Sequence, residues 1–128
     1  RAFGALFGHV ELSGVAPAGM PMVIYHDFGP DGVDAEVCLP IAFDLPYSAE
    51  FQTRILPAST VAQTRHIGPY DKLDKAYAAI MAWIPKHGFD VAGPIQERYL
   101  NSPDEVPPTA YETEIEVPIV PVAVASLA

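Results

Sequence analysis

The chain repeats itself, and the repeat constrains its fold more than any other feature. AFGALFGHV (Ala2–Val10) aligns with AYAAIMAWI (Ala76–Ile84), and at the same offset of 74 Gly14 aligns with Gly88, Gly19 with Gly93 and Tyr25 with Tyr99. After a short insertion in the second copy the offset becomes 78, and DAEVCLPI (Asp34–Ile41) aligns with ETEIEVPI (Glu112–Ile119). Such a duplication predicts two similar lobes about a pseudo-twofold axis, and paired lobes leave a cleft at that axis. Function should be sought there.

Each unit reads as helix, glycine turn, strand, hairpin loop, strand. In the second unit TVAQTRHI (Thr60–Ile67) is β-branched enough for a strand, and Leu73, Ala76, Tyr77, Ile80, Trp83 and Ile84 then recur at helical spacing. Pro69 and Asp71 suit a helix start, Gly88 after Lys86 and His87 suits a stop, and Pro85 cannot donate into the last turn. IQERYL (Ile95–Leu100) is the next strand, the proline-rich Asn101–Ala110 a stiff extended loop, and YETEIEVPI (Tyr111–Ile119) the closing strand. In the first unit MVIYHD (Met22–Asp27), the turn-rich Phe28–Val33 and the strand from Asp34 play the equivalent parts. The expected organisation is a single domain: first unit 1–41, connector 42–54, second unit 55–119 and tail 120–128.

The first unit has no counterpart to TVAQTRHI and the GPYD that follows it. The missing leading strand is expected either to lie outside this sequence or to be replaced by the apolar tail Pro121–Leu127, through permutation or exchange between chains. An unpaired edge beside Asp34–Ile41 would otherwise seek a partner, which makes a homodimer an expectation.

Composition narrows the function classes. The hydrophobic share of 50 % suits a well-buried core in a chain of 128 residues, and no apolar run approaches the roughly 20 residues of a membrane helix. A cytoplasmic location is expected. The net charge of −9, without a basic stripe, disfavours direct nucleic-acid binding. Cys38 is the single cysteine and the four histidines show no ligand spacing, so neither metal nor cofactor is expected.

Alternation along the closing strand puts Thr113, Ile115 and Val117 towards the helices and Glu112, Glu114 and Glu116 on the opposite face. Asp34, Glu36 and Cys38 share that opposite face in the first unit. A half-solvated strand produces this pattern with no functional reason. Aromatic residues near the acids favour a pocket instead: Tyr25 and Tyr99 on neighbouring strands, Tyr111 before the triple-Glu strand, and Trp83 as a floor. Carboxylates with aromatic walls suit an organic cation, through charge pairing and cation–π attraction.

The order of these pieces resembles the GyrI-like family, the multidrug effector-binding domains found behind AraC- and MerR-type DNA-binding domains and also free-standing. The resemblance rests on the tandem units, HIGPYDKLDKAYAAIMAWI (His66–Ile84), GPIQERYL (Gly93–Leu100) and YETEIEVPI (Tyr111–Ile119). It implies an α+β fold of two tandem βαββ units, an eight-stranded curved antiparallel sheet with two helices on one face and a ligand cleft on the other. It also implies that the family's pocket glutamate falls on Glu114 and that lipophilic cations are the ligands. The candidate ligand-binding set is therefore Glu114, Glu36, Glu112, Tyr99, Tyr111, Tyr25 and Trp83. The resemblance leaves open a hydrolase opening cyclopropane-type genotoxins with Glu114 as catalytic carboxylate, and a protein-interaction module like the gyrase-inhibiting relatives.

Overall fold

A computed structural model of the chain describes residues 2–12, 18–29, 32–41, 56 and 58–123. Gly14, the connector Ala42–Arg54 and the tail beyond Ala123 lie outside the described residues. In chain order the elements are α1 (Ala2–Leu12), β1 (Met22–Gly29), β2 (Gly32–Cys38), β3 (Val61–Ile67), α2 (Asp74–Lys86), β4 (Phe89–Val91), β5 (Ile95–Tyr99) and β6 (Glu112–Pro121). Single 3-10 turns at Tyr70–Lys72 and Pro108–Ala110 precede α2 and β6. The proline-rich loop is thus partly turned rather than simply extended.

The fold is α+β. The strands are antiparallel in the order β2-β1-β5-β6-β3, with β4 pairing the far end of β6. Six strands form among the described residues, against the eight the resemblance implies. No strand ahead of α1 is described, and among the described residues β2 is the outermost strand on its side. The described start of the tail runs beside β4 instead: Pro121 faces Phe89, and Val122 N–H donates to Gly88 O at 2.9 Å.

α2 forms where the apolar spacing predicts. Ile80 and Ile84 are buried with Ala62 of β3 and Ile115, Val117 and Ile119 of β6, and Tyr77, Met81 and Ile95 pack around them. Pro85 lies in the final turn, where its missing N–H removes one helical hydrogen bond, and the helix ends one residue later. Gly88 then leaves the helix at φ +83, a conformation costly for any residue with a Cβ. Trp83 departs from the predicted core, at 43 % exposed and stacked on His87 and Phe89.

Positions related by the sequence offsets make the same contacts. Ala18 N–H donates to Pro40 O and Ala92 N–H to Pro118 O, each at 2.8 Å. A Cβ on Gly19 would stand 3.2 Å from Pro40, and one on Gly93 would stand 3.3 Å from Pro118. Each unit needs glycine at this point because its closing strand passes too near for a side chain. Between the units, β1 and β5 run antiparallel with Val23 opposite Glu97. At the offset of 74 these are equivalent residues, so the pseudo-twofold axis passes through their pair.

No helix among the described residues is long and apolar enough to cross a membrane.

Candidate functional site

Directly opposed residues of antiparallel strands point to one face. Glu97 opposes Ile115 on β6 and Val23 on β1, and Tyr99 opposes Thr113. Ile115 is in the core beneath α2, so Glu97 and Tyr99 belong to the helix-bearing face. There the structure has a cavity of about 710 Å³. Tyr25, Glu97 and Tyr99 of the sheet, Phe3 and Phe7 of α1, and Tyr70 and Leu73 at the approach to α2 line it, and the loop after β5 closes a further side. This cavity lies between sheet and helices, whereas the resemblance implies a cleft on the opposite face of the sheet.

The local sequence explains how these walls arise. Phe3 and Phe7, four residues apart, share one side of α1. Phe3 meets Tyr99 edge-on at 6.0 Å, and Tyr99 meets Tyr70 at 5.6 Å. A register shift between Tyr25 and Asp27 makes a bulge in β1 beside the cavity, the kind of irregularity that re-aims a side chain. Phe7, Met20 and Tyr70 are large apolar residues exposed to solvent, and all three line the opening.

Glu97 is 4 % exposed. Among the described residues no cation pairs with it, and the cavity lining holds no basic side chain. Three tyrosine hydroxyls donate to it instead. Tyr99 reaches Oε1 at 2.8 Å and Tyr25 reaches the same oxygen at 3.3 Å, while Tyr77, projecting from α2, reaches Oε2. Tyr25 and Tyr99 are equivalent residues of the two units, so the duplication supplies a matched pair of donors to one acceptor. Burial, followed by the charge and hydrogen bonding of Glu97, raises all three tyrosines above the ordinary phenol range. The tyrosines stay protonated at neutral pH and act as donors.

The structure brings Tyr25 and Tyr99 together in the cavity. It places the remaining candidates elsewhere. Glu112, Glu114 and Glu116 occupy the opposite face of β6, as the alternation predicts, but there they meet arginines. Arg65 on β3 lies 3.7 Å from both Glu112 and Glu114, and Arg98 Nε on β5 donates to Glu116. Cross-strand pairing with basic neighbours accounts for this acidic row. Glu36, on β2, lies 2.8 Å from His26 Nε2. Tyr111 stacks on the cavity residue Tyr70 at 4.7 Å without itself lining the cavity, and Trp83 lies beside His87 and Phe89.

Sequence reasoning missed Glu97 and Tyr77. The signal for Glu97 was present: in IQERYL, period-two alternation puts it between Ile95 and Tyr99, a carboxylate on the apolar face. Its equivalent Val23 shows that an apolar residue suits that position. Among the described residues no cluster of three His, Cys, Asp or Glu could hold a metal.

The GyrI-like small molecule binding domain matches residues 2–120, and the chain belongs to that family. Similar solved structures include two of EcmrR. The crystal structure of the EcmrR C-terminal domain is 23 % identical with a TM-score of 0.85, and the match covers 92 % of this chain and 79 % of that one. EcmrR in its cryo-EM complex with DNA has the same identity and TM-score, with 92 % of this chain and 47 % of that one covered. The chain thus spans about half the EcmrR chain in that complex. No curated protein sequence matches.

Proposed function

We infer that the chain binds lipophilic organic cations in the cavity between the helices and the sheet, with Glu97 supplying the charge and Phe3, Tyr25, Tyr70 and Tyr99 the aromatic contacts. The observation that carries this reading is a buried carboxylate beside an aromatic-walled cavity whose described lining has no basic residue. Removing a carboxylate from water is costly, and hydroxyl donors offset only part of that cost because they bring no net charge. A cation restores the charge balance, and a volume of about 710 Å³ is within the range of drug-sized ligands. Binding is favoured over turnover because the hydroxyls of Tyr25, Tyr77 and Tyr99 are already engaged with Glu97. The domain then serves as the ligand sensor of a transcription regulator, as a fold shared with part of the DNA-bound EcmrR suggests, or as a free-standing binding protein.

Fluorescence titration with a rhodamine-type dye tests this. Glu97→Gln keeps the shape and removes the charge, and a desolvated charge-assisted contact corresponds to a loss of about 1.5–3 kcal/mol, roughly 10- to 150-fold in affinity. Glu114→Gln, altered on the other face of the sheet, is the comparison and should bind as the unaltered chain does. Loss of binding in Glu114→Gln with affinity retained in Glu97→Gln would refute the assignment.

A further inference from the structure

The two units also differ in the connection between their last two strands. In the first unit Gly29 and Gly32 already pair across the β1–β2 hairpin, whereas in the second the insertion lengthens the connection to residues 100–111. That longer loop is a wall of the cavity, contributing Asn101, Ser102, Pro103 and Glu105. It is braced at both levels. Asn101 Nδ2 donates to Ala110 O at 2.8 Å while its Oδ1 accepts Glu112 N–H at 3.0 Å, tying the loop's two ends together. Ser102 Oγ accepts Asp104 N–H at 3.1 Å, and Ser102 O accepts Glu105 N–H at 2.9 Å. Glu105 is therefore presented by an ordered turn, which lowers the entropy cost of using it.

Glu97 and Glu105 are the charged side chains of the described lining. They differ in position and solvation: Glu97 is on the sheet, buried, whereas Glu105 is on the loop wall, exposed. We propose that Glu105 forms a second negative pole and that the cavity takes an elongated cation with two positive centres, one at Glu97 and one at the loop wall. The proposal rests on the cavity reading above. A singly charged ligand neutralises Glu97 and leaves Glu105 hydrated at the rim, while a second cationic centre adds an exposed ion pair. Exposed pairs are weak and screened by salt, so the advantage amounts to about 1.5- to 5-fold in affinity and is greatest at low ionic strength.

The test is isothermal titration calorimetry of the full chain with decyltrimethylammonium and with its bis-trimethylammonium counterpart on the same ten-carbon linker, each at low and high salt. The readout is the ratio of the two affinities. It should fall by about 1.5- to 5-fold in Glu105→Gln at low salt, fall further in Glu105→Lys, and converge with the unaltered chain at high salt. A ratio unchanged by both substitutions overturns the second pole while leaving Glu97 and the cavity reading intact. Binding of neither compound to the unaltered chain overturns the cavity reading and the second pole with it.

Discussion

Tyr77→Phe isolates the link between α2 and the buried carboxylate. The ring packs beside the core and remains in the variant, while the lost hydroxyl is the donor to Glu97 Oε2. Hydrogen bonds to charged groups contribute about 1.5–3 kcal/mol. The cavity lets water reach a vacated lone pair, which places the expected cost near the lower end, at about 1.5–2 kcal/mol. For a chain of 128 residues that corresponds to a melting temperature lowered by roughly 5–8 °C. Urea unfolding followed by the fluorescence of Trp83, the single tryptophan and itself on α2, measures the change. Repeating the substitution in a Glu97→Leu background completes a double-mutant cycle. There the hydroxyl has lost its acceptor, and its removal should be neutral or stabilising. An equal cost in both backgrounds would refute the claim that Tyr77 acts through Glu97.

Two further outcomes follow from the same geometry. Tyr25, Tyr77 and Tyr99 have folded pKa values raised above the unfolded value near 10, so the stability they contribute is fully present below pH 10 and is lost as pH rises from there towards the folded values. Urea midpoints should fall steeply above pH 10 and less steeply in Tyr77→Phe; equal slopes would count against the shared network. Gly88→Ala places a Cβ at φ +83 with nothing within 4 Å, so its cost is backbone strain of about 1 kcal/mol. Gly88→Asn should recover part of it, because asparagine tolerates this conformation, and a neutral Gly88→Ala in urea unfolding would refute the strain argument.

The alternation of ETEIEV predicted which residues of β6 are buried, because a strand's side chains obey a period of two whatever surrounds it. The spacing of Ile80 and Ile84 likewise predicted the face of α2. What the alternation could not supply was the partner of each carboxylate. Arg65 and Arg98 pair with the acidic row because register sets them on adjoining strands, and that register follows from the whole sheet. Glu97 stands next to Arg98 in sequence but faces the other way. Its donors come from positions 25, 77 and 99, on three different elements, so only the assembled fold collects them around one side chain. β4, only three residues long, carries too little pattern to be read in advance.

The duplication also explains why the cavity holds its charge in one copy only. Because the axis passes through the Val23–Glu97 pair, any residue placed at this position in both units would meet its own equivalent across the β1–β5 ladder, with Cβ atoms about 4.5–5.5 Å apart. Two carboxylates at that distance under the helices could not both ionise, and one would take up a proton at the expense of its charge. Valine in one copy and glutamate in the other avoids that conflict. It lets Tyr25 and Tyr99, which the duplication provides as a pair, converge on a single acceptor. The repeat therefore builds a symmetric frame, and the cavity's buried carboxylate stands at a position where the two halves differ.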